Sequence, residues 1–483
     1  MIVQVNSGPG SGKTTTAKNV YRWQIARIPL TDIPTSDEQE VIYDFVRTHW
    51  KFPKSVAYFC LNNTTKNKLK KEVHRNADVY NFHGFGQSQL TKKFGYQVLD
   101  TGRTEGFIED IIGRKLADLP NAEKWYWLAC KKLVTYLKQE FLPPTEVNKE
   151  FIFLKYPDLF NLQLPVDWVD RCTKLLALSS VPNRKLEWVD MVWLAAKKIK
   201  KTVYQYGIVD ESQDNSAMTL ALLQASCENL MFFGDPNQAI NAFAGADHEM
   251  FNKIEGMADF TFPLKQTFRC PPAIVHRANE IRPGGVLEGP NKATSKIANI
   301  EHTQMQRMLV DLPPRDVLIV ARTNASTISA ALRLLTGDPY IDCHIPEKDL
   351  YKSTCDYINK LHPKTLDQLY DRLDEEKEKA ANMRNTIAAM NILDRCISIE
   401  YFMEQSDDLE DLFANMEKVL CRKTGHKLLT LHSAKGLEAK NIFILNPPVE
   451  HPLALQNPIS AQQEYNLHFV GITRSSLNLF YVQ

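Results

Sequence analysis

The first of two groups of residues that could bind a nucleoside triphosphate lies near the start of the chain. The run GPGSGKT occupies residues 8–14 and follows the alternating apolar run 2–5. Glycines in such a loop let backbone N–H groups turn toward phosphate oxygens, and a lysine reaches the outer phosphates at a helix N-terminus. The pattern predicts a phosphate-binding loop made of Gly8, Gly10, Ser11, Gly12, Lys13, Thr14 and Thr15.

A second group of polar residues, DESQD at 210–214, follows the apolar run 206–209. Asp210 can hold a magnesium ion together with the Thr14 hydroxyl, and Glu211 can polarise the attacking water. A glycine-rich run alone also fits an ordinary turn before a helix, and the acidic pair argues against that alternative. Together the motifs predict one site for a nucleoside triphosphate and Mg²⁺, with Lys13, Asp210 and Glu211 in catalytic roles.

Composition limits the classes of protein to consider. The 483 residues, 44% of them apolar and 24% charged, predict more than one folded lobe. The absence of an apolar run of about 18 residues excludes a membrane protein, and the start lacks a signal peptide, so we expect a cytosolic protein. Nine cysteines without a Cys-x-x-Cys pair fit neither a disulfide framework nor a zinc site. A net charge of +1 leaves nucleic-acid binding to local grooves.

The order of strand and helix signals predicts an α/β fold with two parallel-sheet lobes, each interrupted by a helical insertion. The first insertion holds five of the seven tryptophans. These aromatics could contact bases, but we interpret them as the core of a small helical subdomain. The predicted ranges are 1–88 and 196–262 for the first lobe, 89–195 for its insertion, 263–345 and 425–483 for the second lobe, and 346–424 for its reduced insertion.

Three further motifs follow in a recognisable order: GDPNQ at 234–238, LTLHSAKGLE at 429–438 and FVGITR at 469–474. With the phosphate loop and the acidic pair, they resemble the UvrD/Rep-like branch of superfamily 1 DNA helicases. The resemblance covers both lobes and leaves out the insertions. It implies two RecA-like lobes that hold ATP and Mg²⁺ between them while single-stranded DNA lies across both.

The resemblance also implies roles in the ATP site for six more residues. Gln238 is expected to sense the γ-phosphate, although it could be an ordinary polar loop residue. Arg269 and Arg474 are expected to stabilise transition-state charge, although each alone could be a surface arginine. Phe268 replaces the family's usual tyrosine and keeps a flat face for adenine. The residues expected to contact the nucleoside are Phe268, Gly436 and Glu438.

A groove for single-stranded DNA is the other expectation from the resemblance. In such grooves aromatic side chains stack on bases and polar groups follow the backbone, so binding is largely sequence-blind. A histidine taken alone is more often structural, so only the motif context supports the two histidines in this set. The expected contacts are Phe82, His83, Phe243, Arg322, Asn324, Thr430 and His432.

Several positions depart from the family pattern. Relatives carry a segment ahead of the phosphate loop whose glutamine reads adenine, whereas here the loop begins at residue 8. The run SDEQE resembles such a segment displaced beyond the first helix, which makes Gln39 a candidate for that role. Leu61 stands where a base-stacking phenylalanine is common, and Asn241 and Ala244 replace a tyrosine and an arginine. These changes predict weak processivity.

The favoured hypothesis is an ATP-dependent single-stranded DNA translocase and helicase that acts on single-stranded and tailed duplex DNA. Its 3′-to-5′ polarity follows from the family branch alone, and replication, repair or defence proteins are candidate partners. An alternative is a DNA-gated ATPase module of a larger complex that does not unwind duplex. A metabolic phosphate-loop kinase would need an acceptor pocket in place of the second lobe.

Overall fold

The computed structural model consists of two units, each built on a six-stranded sheet. The first unit comprises residues 1–7 and 12–265, and the second comprises residues 8–11 and 266–483. The structure describes residues 1–26, 36–50, 53–61, 63–73, 77–156, 159, 162–240, 248–347, 349–383, 386–447, 449–451, 454–456 and 458–483.

A parallel sheet is the centre of the first unit. The strands of this unit are β1 (Ile2–Ser7), β2 (Val56–Cys60), β3 (Val79–Asn81), β4 (Val98–Leu99), β5 (Lys185–Leu186), β6 (Tyr204–Asp210), β7 (Cys227–Gly234) and β8 (Phe260–Leu264). Six of them form a sheet in the order β3-β2-β6-β7-β1-β8, and β4 pairs with β5 separately. Because the strands of the sheet are parallel, the loops after β1, β6 and β7 meet at one edge, where ligands bind in such sheets.

Helices cover both faces of this sheet. The helices of the first unit, including those of its insertion, are α1 (Lys13–Ala26), α2 (Asp37–His49), α3 (Asn63–Val73), α4 (Phe82–Phe94), α5 (Arg103–Ile112), α6 (Asn121–Gln139), α7 (Glu146–Lys155), α8 (Trp168–Ser179), α9 (Trp188–Lys198), α10 (Ala217–Ser226) and α11 (His248–Met257). Successive strand residues point to opposite faces, so Tyr58 packs in one apolar cluster with α1 and α2 while Phe59 packs in another with α4 and α9. Burial on both faces explains why β2 is apolar throughout.

The helical insertion of the first unit has a core of its own, formed by α5 to α8. Trp127 and Trp168 are buried there, as the core interpretation predicts, whereas Trp193 is buried in the separate apolar cluster under the sheet. Trp125 and Trp188 differ, because their side chains are 70% and 55% exposed. The core interpretation is therefore wrong for these two tryptophans.

The second unit repeats the parallel-sheet plan. Its strands are β9 (Ile297–Ile300), β10 (Val317–Ala321), β11 (Cys343–His344), β12 (His426–Thr430), β13 (Ala439–Leu445) and β14 (Ser475–Val482), in the sheet order β11-β12-β10-β13-β14-β9. Its helices are α12 (Pro272–Ile281), α13 (His302–Asp311), α14 (Asn324–Thr336), α15 (Leu350–Leu361), α16 (Leu366–Ala381), α17 (Thr386–Met403), α18 (Leu409–Leu420) and α19 (Pro458–Ile472). Helices α15 to α18 share one apolar core with the sheet, unlike the insertion of the first unit.

The predicted α/β class with parallel sheets is confirmed. One boundary differs, since β8 pairs with β1 and the first unit therefore runs past the expected limit at residue 262. All nine cysteines are free, and most are buried. Within the described part of the chain, no helix is long and apolar enough to cross a membrane.

Candidate nucleotide site and nucleic-acid contacts

The loop after β1 has the backbone that phosphate binding requires. Gly10 and Gly12 have φ angles of +68° and +82°, in the left-handed region that glycine adopts readily. Lys13 begins α1, and the Thr16 N–H donates to the Gly12 carbonyl over 2.7 Å, which starts the helical hydrogen bonds. The N-terminus of α1 can therefore present N–H groups to an anion.

Lys13 lies among carboxylates from the loop after β6. Its Nζ is 2.5 Å from Glu211 Oε2 and 4.0 Å from Asp210 Oδ1. Burial opposes the charge of the lysine, but Glu211 and Asp210 outweigh that effect and raise the pKa of Lys13. The fold thus brings together the phosphate-loop lysine and the acidic pair, as the two motifs predict.

Asp210 is buried, with 2% of its surface exposed. Tyr58 donates its hydroxyl to Asp210 Oδ2 over 2.9 Å, and the Thr14 side chain also forms a hydrogen bond to this carboxylate. Burial raises the pKa of Asp210, and Lys13 opposes that shift. A carboxylate next to a hydroxyl is an oxygen-donor set that suits Mg²⁺. Among the described residues no cluster of three or more His, Cys, Asp or Glu side chains could hold a metal.

Glu211 has an unusual backbone conformation. Its φ of +58° lies in the left-handed region, and the residue caps a short 3₁₀ turn, Ser212–Asp214. Such a conformation costs about 1–2 kcal/mol for a residue other than glycine, and strained residues of this kind cluster at functional sites. The turn directs the Glu211 carboxylate to Lys13.

Gln213 belongs to this site, although the sequence motif alone gave it no role. Its side chain is fully buried; Nε2 donates to Glu211 Oε2 over 2.6 Å, and Oε1 accepts from the Asp235 N–H over 3.1 Å. A Cβ atom at Gly234 would lie 3.0 Å from Gln213 Oε1 and 2.3 Å from Ser212 Oγ, so only glycine fits there. Gln213 therefore joins the loops after β6 and β7.

Gln238 is in the same polar network. It is 8% exposed, and its Nε2 donates to Asp235 Oδ2 over 2.6 Å. The Asn237 N–H donates to the other carboxylate oxygen over 2.9 Å. Burial raises the pKa of Asp235 to about 6 despite these hydrogen bonds. A chain of contacts thus runs from Lys13 to the residue expected to sense the γ-phosphate.

In the second unit, three residues expected in the ATP site lie close together. Arg269 Nε donates to Glu438 Oε2 over 2.6 Å, and its Nη1 donates to the Thr473 carbonyl over 3.0 Å. Arg474 is 2% exposed, and its Nε donates to the Val470 carbonyl over 3.0 Å. Hydrogen bonds to the backbone carbonyls of Thr473 and Val470 thus hold both guanidinium groups near the C-terminal end of α19.

Gly436 and Phe268 are the remaining residues of this unit that are expected in the ATP site. Gly436 has a φ of +83°, which explains the glycine in its motif. Phe268 is half-buried, and its N–H donates to the carbonyl of Gly10, a residue that groups with the second unit, over 2.8 Å.

Gln39 has a structural role that the sequence hypothesis did not include. Its Oε1 accepts from the Ser36 N–H over 3.1 Å in a capping box, and its Nε2 donates to Thr16 Oγ1 over 2.9 Å. The side chain is 1% exposed. The amide oxygen therefore caps α2 and the amide nitrogen fastens α2 to α1, and the hypothesis that Gln39 reads adenine is not retained.

The expected DNA contacts of the first unit have different surroundings. Phe82 is 4% exposed and stacks on Phe59 with ring centroids 6.2 Å apart, so the expectation that it stacks on a base is wrong for this structure. Burial is favourable here because the ring completes the apolar layer under α4. His83 is half-buried, and burial lowers its pKa. Phe243, Asn241 and Ala244 lie outside the described residues.

The expected contacts of the second unit are bound by acidic side chains of the same unit. Arg322 makes two 2.7 Å hydrogen bonds to Glu464. The Asn324 amide donates to Asp394 over 3.1 Å. These carboxylates fix the orientation of both side chains, and a nucleic-acid phosphate at Arg322 would share the guanidinium with Glu464.

Thr430 and His432 follow β12 in that unit. Thr430 is buried, and its hydroxyl oxygen lies 3.3 Å from a carboxylate oxygen of Glu347 and 3.1 Å from the Ser433 hydroxyl, within hydrogen-bonding distance of both. Burial, with the nearby Arg322, lowers the pKa of His432 to about 4, so the imidazole is neutral at neutral pH. His432 can therefore form hydrogen bonds there but offers no positive charge to a phosphate.

Comparison with known proteins gives consistent findings. The family model for the UvrD/REP helicase N-terminal domain matches residues 60–259. The mitochondrial ATP-dependent DNA helicase HMI1 of Saccharomyces cerevisiae is 23% identical over 290 residues, which cover 58% of this chain and 38% of the relative. Gabija protein GajB of Bacillus cereus is 23% identical over 333 residues, which cover 60% of this chain and 65% of the relative. The chain thus covers less than two thirds of the length of either relative.

Among solved structures, the chain aligns with the crystal structure of Arterivirus nonstructural protein 10 (helicase). The alignment covers 100% of this chain and 59% of the viral chain, with 10% sequence identity and a TM-score of 0.34.

Proposed function

Because residues 60–259 of this chain match the family model for the UvrD/REP helicase N-terminal domain, we propose that the protein hydrolyses ATP to move along single-stranded DNA and to separate duplex strands. The observation that carries the proposal is the position of Lys13, 2.5 Å from Glu211 at the start of α1. The similarity to HMI1, a DNA helicase by name, supports the choice of DNA.

The first unit supplies the groups for hydrolysis in this proposal. The N–H groups of the phosphate loop and Lys13 bind the phosphates, and Glu211 accepts a proton from the attacking water. Thr14 and Asp210 would hold Mg²⁺, which would supply positive charge to offset the negative charge of the phosphate oxygens. Gln213 and Asp235 hold Glu211 and Gln238 in fixed positions, so a change at the γ-phosphate can shift both loops.

From the second unit we assign Arg269 and Arg474 to transition-state charge, as the resemblance implies. Their support is that backbone carbonyls hold both guanidinium groups. Planar guanidinium groups suit phosphate oxygens because they donate two parallel hydrogen bonds. In the same proposal Phe268 stacks on the adenine and Glu438 accepts a ribose hydroxyl.

For the DNA we retain His83, Arg322, Asn324, Thr430 and His432 as candidate contacts. These side chains are neutral or paired with a carboxylate. They would therefore bind DNA mainly through hydrogen bonds and stacking, and they would add little net positive charge. Binding should therefore depend less steeply on salt than in proteins that neutralise many phosphates.

Steady-state ATP hydrolysis with and without single-stranded oligo-dT, at one salt concentration, tests the proposal. We expect stimulation of about tenfold or more, since closure of a catalytic cleft is slow without its second ligand. Lys13→Ala should abolish hydrolysis. Lys18→Ala, on the same helix and paired with Glu72 at the surface, is the matched control. Indifference to DNA in the wild type would contradict the proposal.

A DNA-gated ATPase module of a larger complex is the second candidate. We keep it beside the helicase because the matched region covers 65% of Gabija protein GajB, against 38% of HMI1. Unwinding of duplexes with 3′ or 5′ single-stranded tails separates the two functions. Strand separation on 3′-tailed duplex alone would support the helicase with 3′-to-5′ polarity. Stimulated hydrolysis without strand separation would support the module.

A further inference from the structure

The C-terminal ends of α4 and α9 bring a set of lysines together. Lys93 Nζ donates to the Lys198 carbonyl over 2.6 Å, so the two helices end side by side. Neither residues 79–99 nor residues 191–209 include an aspartate or a glutamate. Among the described residues, no carboxylate forms an ion pair with a lysine of this set. The set, named the lysine surface, consists of Lys92, Lys93, Lys197, Lys198, Lys200 and Lys201.

Helix capping explains only part of the lysine surface. A lysine in the last turn of a helix offsets the partial negative charge of the helix C-terminus. Lys200 and Lys201 lie beyond the last residue of α9, where that effect fades. Burial, with the nearby Lys198 and Lys138, lowers the pKa of Lys197. The like charges therefore repel one another, and an anion bound across the surface would relieve that repulsion.

Exposed apolar side chains lie directly beside these lysines. The Lys93 ammonium lies 5.5 Å from the centroid of the Phe94 ring, which is 41% exposed. Tyr96 and Val98 follow the end of α4, with 77% and 51% of their surfaces exposed. The Val98 N–H donates to the Arg184 carbonyl over 2.6 Å, so the pairing of β4 with β5 fixes the backbone here. Apolar side chains that stay exposed next to polar groups are typical of a protein-binding surface.

We propose that the lysine surface, with Phe94, Tyr96 and Val98, binds an acidic segment of a partner protein that also carries apolar side chains. The carboxylates of such a segment would lie on the lysines, and its apolar side chains would cover the exposed rings. A nucleic-acid backbone is the other polyanion to consider. Its phosphates need only cations, so it would leave the exposed apolar side chains uncovered.

The lysine surface is separate from the expected DNA contacts of the first unit. His83 lies in the first turn of α4, and Lys93 lies in the last. Ten residues of helix separate the two positions by about 15 Å. A partner protein on the lysine surface would therefore leave the position of His83 free for DNA, and the proposal goes beyond the proposed function.

The experiment measures, by anisotropy at about 0.1 M salt, the Kd of the full chain for a fluorescein-labelled peptide that alternates two aspartates with one phenylalanine. Lys92→Glu combined with Lys200→Glu should raise the Kd about tenfold or more, because two attractions become repulsions. Lys68→Glu combined with Lys71→Glu is the matched control. It changes the net charge equally, at two exposed lysines of α3 in the same unit, and should leave the Kd within about twofold.

Two further measurements test the apolar part of the proposal. Tyr96→Ser should raise the Kd about fivefold, because the most exposed ring beside the lysines is lost. Tyr370→Ser, at a ring that is 52% exposed on α16, is its control and should have no effect. A second peptide, with glycine in place of phenylalanine, should bind the wild type about fivefold more weakly than the first.

Three results would overturn the proposal without affecting the proposed function. In the first, the wild type binds neither peptide, or the Lys92 and Lys200 variant binds as tightly as its control. In the second, both peptides bind the wild type equally, which would indicate attraction by charge alone. In the third, the Lys92 and Lys200 variant loses affinity for oligo-dT and keeps its affinity for the peptide, which would assign the lysines to nucleic acid. Unchanged urea unfolding of the variants shows that the fold is intact.

Discussion

Two clusters of charged side chains in the first unit differ in their ratio of cations to carboxylates. In the nucleotide site, one cation, Lys13, lies among the carboxylates of Asp210, Glu211 and Asp235. In the insertion, one carboxylate, Asp190, lies between two cations. Its Oδ1 accepts from Lys138 Nζ over 2.8 Å.

Both carboxylate oxygens of Asp190 in the insertion accept hydrogen bonds. Arg103 donates to Asp190 Oδ2 and also to the Val181 carbonyl over 3.0 Å, and the Glu187 N–H donates to Asp190 over 3.3 Å. The side chains of Arg103, Lys138 and Asp190 are at most 1% exposed. Through this cluster, α5 and α6 are tied to α9.

The difference shows how burial serves two purposes. In the site, burial raises the pKa of Asp210 and Asp235, which means that the fold holds their charges at a cost in stability. In the insertion, the partners of Asp190 compensate for its burial. We infer that substitutions in the first cluster change chemistry more than stability, and substitutions in the second change stability more than chemistry.

Glu211→Gln is the largest expected effect. It should lower DNA-stimulated ATP turnover about 10³-fold, because the amide cannot take a proton from water. The amide keeps the shape of the side chain, so the free energy of unfolding should change by less than about 1 kcal/mol. Steady-state hydrolysis and urea unfolding measure the two quantities. Glu72→Gln, in a surface pair with Lys18, is the control. Turnover at the wild-type rate would remove Glu211 from the chemistry.

Asp190→Asn should have the opposite pattern of effects, with a large loss of stability and little change in ATP turnover. Two buried cations would lose their counter-charge, and the free energy of unfolding should fall by about 3–5 kcal/mol. Tryptophan fluorescence during urea unfolding reports this, because all seven tryptophans precede residue 194 and so lie in the first unit. Turnover per folded molecule should stay near that of the wild type.

Two matched variants sharpen the result for Asp190. Asp170→Asn removes an exposed partner of Lys174 and should change stability by less than about 0.5 kcal/mol. Lys138→Met leaves the Arg103–Asp190 pair and should destabilise the unit less than Asp190→Asn does. Equal losses for Asp170→Asn and Asp190→Asn would show that burial of the cluster has no energetic weight.

Asp235→Asn should stabilise the first unit at neutral pH. The pKa of Asp235 is about 6 in the folded protein, against about 3.9 when unfolded. The folded state holds this proton more tightly, so the wild type loses stability as the pH rises from about 4 to about 6. The variant should therefore be more stable than the wild type by about 1–3 kcal/mol at pH 7.5, with the gain vanishing near pH 4.

Unfolding of Asp235→Asn and wild type across this pH range measures the gain. Asp170→Asn serves again as the exposed control and should show no such pH-dependent difference. A constant difference between Asp235→Asn and wild type at every pH would mean that Asp235 does not titrate in this window. For Asp235, such a result would also contradict the inference that burial of carboxylates in the nucleotide site costs stability.

Gln213→Ala should have the smallest effect. Glu211 would lose the donor that orients it, so kcat should fall about tenfold while the KM for ATP stays within about twofold. Gln213→Glu should lower kcat further at pH 8 than at pH 6, because a second carboxylate would then repel Glu211. A parallel rise in KM without a change in kcat would contradict the positioning role.

Much of the fold could be predicted from local patterns. Strands β1 and β6 were expected to within about two residues at each end, since each is an apolar run that ends at a polar loop. The expected boundary at residue 262 divides β8, because the pairing of this strand with β1 joins residues about 257 positions apart and leaves no local signal.

The candidate site was only partly predictable for the same reason. Lys13, Asp210 and Glu211 stand in motifs whose spacing reflects local backbone geometry, and the structure brings them together. The burial of Phe82 under α4 and the exposure of Trp188 depend on how helices distant in sequence pack together. Composition and periodicity do not report such contacts.

Local sequence patterns are sufficient to predict the phosphate loop, the acidic pair after β6 and the alternation of strands and helices. Each of these depends on neighbouring residues, through glycine at positive φ and apolar periodicity. Long-range packing is what makes Gln213 bridge two loops, Gln39 fasten α2 to α1, and Trp188 contact His83. Those contacts join segments that touch because parallel strands and close helix packing bring them together in space.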